Sequence, residues 1–152
     1  MQRRLFRHGF AILTTGLAIG GVAGAIGAGP HARLWLGSHV ASLMTGLFAI
    51  GVAAAWPHLQ LGTRARRATF MLTAYGNWFS VLFLGIFAPA VGFPSKISTP
   101  ELPPVTGWAG AIVGLSLVVV TLSTFALSAL VLYGLRAPAA ERLDVVEPVL
   151  AK

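Results

Sequence analysis

The chain of 152 residues has no cysteine and only four acidic residues. The first absence excludes disulfides, thiolate metal sites, iron–sulfur clusters and a cysteine nucleophile. The second matters because of where the four lie: Glu101 in a proline-rich connection, and Glu141, Asp144 and Glu147 in the C-terminal tail. No long apolar run contains a carboxylate, so neither paired-carboxylate acid–base catalysis nor carboxylate-driven proton coupling is expected within one. A glycine-rich phosphate loop is also missing. Charge of either sign is scarce, at 10% of residues, where soluble domains carry about 25%.

What the chain has is hydrophobicity. Apolar residues make up 56% of it and its mean hydropathy is +0.80, the composition of an integral membrane protein. Four apolar runs, about 9–29, 36–56, 68–87 and 107–135, meet the length needed to span a bilayer. About 20 residues at 1.5 Å rise cross a hydrocarbon core of about 30 Å. The fourth run exceeds that length, which leaves room for tilt. The expected fold is an all-α, four-transmembrane-helix bundle over residues 1–136, with a polar tail over 137–152. The first run is too long for a signal-peptide core of about 7–15 residues, so it is read as a retained helix. Its Gly16, Gly20 and Gly24 form a ladder that lets helix backbones approach closely.

The net charge of +7 comes from short basic clusters between the runs. That placement suits topology control and not nucleic-acid binding. Three Lys/Arg residues lie in each of the N-terminus, the second connection (Arg64, Arg66, Arg67) and the tail, against one in each of the other connections. The asymmetry predicts both termini on the cytoplasmic side. Trp56-Pro57-His58 reads as an interfacial anchor with a helix stop. His8 and His58 sit at the cytoplasmic boundary, and His31 in an aqueous loop over 30–35.

One ionisable side chain lies well inside a predicted span: His39, near the outer end of the second. An ionisable group at membrane depth is a functional candidate. Two readings apply to it. Its imidazole is hydrogen-bonded to a neighbouring carbonyl or hydroxyl, or it is the axial ligand of a haem or another metal. Ser42 and Gly46 share its helical face, and Ala49, Ile50 and Ala53 extend that face. Such a smooth surface suits a flat macrocycle or a second helix. A single intramembrane histidine argues against an electron carrier with paired axial histidines, and leaves a metal position open for a Lewis-acid role. Tyr75, Asn77 and Trp78 form a second cluster. Asn77 either orients a polar substrate or joins helices by a hydrogen bond worth about 0.6–2 kcal/mol. Thr45, about two turns below His39, reaches a similar depth to Asn77 if the site is deep. The hydroxyls of Ser116, Thr121, Ser123, Thr124 and Ser128 can bond their own helix and need no function.

With these residues in view, the chain resembles the hydroxylaminobenzene mutase family. The resemblance rests on RHGFAILTTGL (7–17), SHVASLMTGLFAIGVAAAWPHLQL (38–61), AYGNW (74–78) and LYGLR (132–136). A more distant resemblance is to styrene oxide isomerase, through size, four helices, the HG pair, and a histidine followed by a polar residue at plus six and glycine at plus seven. The plus-six residue here is Thr45, where both families' pattern has Asn. The resemblance implies isomerisation of an arylhydroxylamine to an ortho-aminophenol without a redox co-substrate, or of an aryl epoxide to an arylacetaldehyde. It also implies a trimeric protein with ferric haem b between subunits on His39, in a bacterial inner membrane. In that scheme Ser42 and Gly46 line the cofactor, while Thr45, Asn77 and Tyr75 meet a small aromatic substrate. The other readings are a non-enzymatic binder or transporter of small aromatics, and a haem sensor or electron carrier.

Overall fold

The computed structural model describes residues 1–93 and 104–136. Lys96, Glu101 and the 137–152 tail lie outside the described residues. Those described are helical, with no strand among them, and form four helices long and apolar enough to cross a membrane. We label them α1 (Gln2–Ile26), α2 (Pro30–Ala55), α3 (Thr63–Val91) and α4 (Gly107–Gly134). A short 3-10 turn, Trp56–His58, ends α2.

The first three helices begin earlier than the apolar runs suggest. The loop expected over 30–35 is the first turn and a half of α2, starting on Pro30. Proline suits that position because its fixed φ is helical and the N–H it lacks would have no partner there. α1 and α3 likewise take in basic residues at their starts. Arginine does not end a helix at a membrane surface, since its apolar stem lies along the helix while the guanidinium reaches water. α3 is not uniform: π-helical turns at Leu72–Gly76 and Val81–Phe87 flank an α-helical Asn77–Ser80.

α1 and α2 form a hairpin in contact along most of their length. Their backbones touch because the seam is made of glycine. A Cβ on Gly46 would lie 2.9 Å from the Leu13 nitrogen and 3.0 Å from the Gly9 carbonyl oxygen. In hydrocarbon, helices gain nothing from hiding apolar area from one another, so close packing of this kind has to hold them together. One apolar core joins the pair to the start of α3 through Leu5, Val52, Trp56 and Ala74. A second, around Ile12, Ile19 and Val81, is covered by Trp35 and Trp78. Arg66 stacks 5.3 Å from the Trp56 ring, and the Gln60 N–H donates to the Gly134 carbonyl at 2.7 Å, tying α4 to the second connection.

α4 is attached more lightly. Only 11% of its most apolar window is buried within the chain, against 28–33% for the other three helices. Leu115, Leu122, Phe125 and Leu132 point outward, as expected where lipid is the solvent.

Gly46→Leu is expected to separate the α1–α2 seam. Overpacking of this kind costs about 1–3 kcal/mol, so the melting temperature in detergent, followed by circular dichroism, should fall by several degrees. Gly51→Leu, at a position with no neighbour within 4 Å, should leave it unchanged.

Candidate functional site

His39 lies across the α1–α2 seam with its Nδ1 2.7 Å from the Gly16 carbonyl oxygen. A carbonyl only accepts, so Nδ1 carries the proton and Nε2 keeps its lone pair. The ring fits because position 20 is glycine: a Cβ there would stand 2.5 Å from Nδ1. Nε2 has no hydrogen-bond partner among the described residues, yet it is not one of the buried unpaired atoms. It is therefore accessible at the surface of the single chain.

This geometry realises the first sequence reading, a histidine bonded to a carbonyl, and remains compatible with the second. Histidines that bind metals characteristically donate their other N–H to a carbonyl or carboxylate, which fixes the ring and raises its basicity. Among the described residues no three His, Cys, Asp or Glu side chains converge as a metal site. A metal on His39 would need ligands from outside the side-chain set, as the ring nitrogens of a macrocycle supply.

Ser42 and Gly46 face other helices of the same chain. Gly46 meets Gly9 and Leu13 of α1. Ser42 Oγ is buried without a hydrogen-bond partner, and a Cβ on Gly85 of α3 would be 2.8 Å from it. Ser38, one turn earlier, donates to the Leu84 carbonyl at 3.3 Å. Within one chain the small-residue face of α2 serves helix packing.

Thr45 and Asn77 do come together. With Ser80, Ser123 and Thr124 they contribute the polar lining of a cavity of about 200 Å³ between α2, α3 and α4. Met44, Phe48, Leu72 and Leu127 supply apolar walls. Asn77 Nδ2 is buried with no hydrogen-bond partner, which is costly where no water can reach it. The interhelical hydrogen bond considered for Asn77 is therefore not made by this nitrogen. His39 is turned toward α1 and does not line the cavity.

Tyr75 is outside the cavity too, 60% exposed, with its ring centroid 6.3 Å from that of His8. Trp78 Nε1–H donates to His8 Nδ1 at 3.1 Å, so the histidine at the start of α1 is held by the aromatic cluster of α3. Ser80 and Ser123 had no place in the sequence-based site. Ser80 was within reach, since it follows Asn77 by three residues and so shares its helical face. Ser123 had no such signal, because its helix is apolar and hydroxylated all round.

Comparison with known proteins agrees with this architecture. The sequence model of the styrene oxide isomerase family matches residues 1–136. A hydroxylaminobenzene mutase, HabB, from Ectopseudomonas oleovorans is 32% identical over 147 residues, covering 93% of this chain and 85% of the relative. No solved structure matches. With the family pattern running through all four helices, the chain belongs to the styrene oxide isomerase family, and is an isomerase.

Proposed function

We propose that this protein converts an arylhydroxylamine into an ortho-aminophenol, with haem b held on His39. The observation that carries the reading is the His39–Gly16 hydrogen bond, which presents an accessible Nε2 lone pair; the likeness to the mutase supports the choice of substrate. The reaction is an isomerisation: the N–O bond breaks, a C–O bond forms at the ortho carbon, and the proton displaced from that carbon ends on nitrogen. When bound, ferric haem supplies a Lewis acid toward the oxygen of the breaking bond.

The chain's own residues account for the rest. Gly16 fixes the His39 tautomer, and Gly20 admits the ring. Asn77 Nδ2 offers its uncommitted N–H groups to the substrate head, and Thr45 lies across the cavity as an acceptor. Phe48, Leu72 and Leu127 keep water away while the hydroxyl is in transit. Tyr75, exposed beside His8, meets substrate only where another subunit covers it. Because His39 and the cavity lie on different sides of α2, joining them calls for a second copy of the chain. A homo-oligomer, a trimer by the resemblance, with the cofactor between subunits meets that need. The basic residues set both termini in the cytoplasm of a bacterial-type inner membrane, with lipid around α4. The second reading, an aryl epoxide as substrate, is favoured by the name of the matched family.

Three outcomes are expected. Detergent-purified protein should show a Soret band and a pyridine haemochrome near one haem per chain, both lost in His39→Ala; a colourless wild type after haem reconstitution would refute the cofactor. N-phenylhydroxylamine should yield 2-aminophenol with no added co-substrate, and Asn77→Leu should lower kcat/KM about tenfold or more, as for a lost hydrogen-bond donor in a dry site. In the cysteine-free chain, Gly62→Cys should react with an impermeant maleimide only from the cytoplasmic side, and Gly29→Cys only from the opposite side.

A further inference from the structure

The cavity between α2, α3 and α4 has a polar lining whose hydrogen-bonding capacity can be counted atom by atom. Thr45 Oγ1 donates to the Ala41 carbonyl and Thr124 Oγ1 to the Val120 carbonyl, each at 2.8 Å. A hydroxyl has one proton, so both threonines can offer a ligand only lone pairs. The other three polar residues are in the opposite state. Asn77 Nδ2 has no partner, and the hydroxyls of Ser80 and Ser123 make no hydrogen bond among the described residues while lining the same space. Donors from α3 and α4 therefore stand together with fixed acceptors from α2 and α4. In hydrocarbon no solvent completes such a set.

We infer that this cavity recognises a one-ring aromatic whose head group both donates and accepts hydrogen bonds, and so favours an arylhydroxylamine over an aryl epoxide. The inference rests on the proposed function only in taking the cavity as the substrate site. An epoxide oxygen accepts and cannot donate, so it satisfies Asn77, Ser80 or Ser123 and leaves both threonines unmatched. The N–H and O–H of an arylhydroxylamine find those threonine lone pairs, and its oxygen finds the donors. Size agrees with one ring: a cavity of about 150 Å³ is known to hold benzene, and this one measures about 200 Å³. Ser123 and Thr124 thereby become recognition residues contributed by α4, and Thr45 acts as an acceptor in place of the family pattern's amide.

The test uses two stable ligands of similar size, 4-fluorophenol (donor and acceptor) and 4-fluoroanisole (acceptor only), titrated by 19F NMR into the detergent-purified full chain. Gly76→Leu serves as the blocked control. A Cβ at Gly76 meets nothing nearer than Ser123 Cβ at 4.0 Å, so a leucine there extends into the cavity without striking backbone. Wild type should bind the phenol about three- to tenfold tighter than the anisole, the worth of one net hydrogen bond. Gly76→Leu should abolish both. Thr45→Val with Thr124→Val should bring the ratio to about one while sparing the anisole, and Thr45→Ser with Thr124→Ser should keep it. Equal affinities in wild type, an unchanged ratio in the valine pair, or full binding by Gly76→Leu would each overturn the inference. Turnover of N-phenylhydroxylamine is scored separately: a phenol preference without turnover refutes the mutase activity and upholds the recognition, and turnover without the preference does the reverse.

Discussion

Everything in this chain that bears on chemistry depends on two helix backbones touching. Where Gly9 of α1 meets Gly46 of α2 there is no room for a β-carbon. That approach carries the His39 imidazole onto the Gly16 carbonyl and over Gly20. A wider seam would leave the ring free to rotate and its tautomer unset, since no other partner among the described residues holds it. Packing of the hairpin and definition of its one intramembrane histidine are thus a single event. The glycine ladder is read more usefully as part of the histidine's setting than as a general adhesive.

The second constraint is the scarcity of water. Six threonine hydroxyls, those of Thr14, Thr15, Thr45, Thr69, Thr73 and Thr124, donate to the carbonyl four residues earlier. This is the ordinary way for a hydroxyl to satisfy itself inside a span. Against that background the unmatched amide of Asn77 stands out, and so do the uncommitted serines beside it. The π-helical turns on either side of Asn77–Ser80 are of the kind that often marks functional positions. Lone polar groups at membrane depth are costly to keep; here they are collected around one space.

The spans, the class and the prominence of His39 were legible in the sequence because each depends on composition over long windows or on a single residue out of place. The pairing of Thr45 with Asn77 was legible in outline, from depth alone. Helix ends were less so, because hydropathy registers where charge appears and not where hydrogen bonding stops: Pro30 and the arginines of α1 and α3 are helical. The direction in which His39 faces could not be read, since small residues at i+3 and i+7 serve a macrocycle and a neighbouring helix equally well. Ser123 stayed hidden for a related reason. On a helix that is apolar on every side, no periodicity tells the face that meets α3 from the face that meets lipid.

The light attachment of α4 bears on how such a chain can change over generations. The α1–α2 seam tolerates almost nothing at Gly9 and Gly46, so the histidine's setting is inherited as a block. Outward positions of α4, such as Leu115, Leu122 and Phe125, answer only to a demand for greasiness, which many side chains meet. The same helix nevertheless supplies Ser123 and Thr124 to the cavity wall. Selectivity and anchorage therefore sit on separate parts of the molecule, and drift in one need not disturb the other.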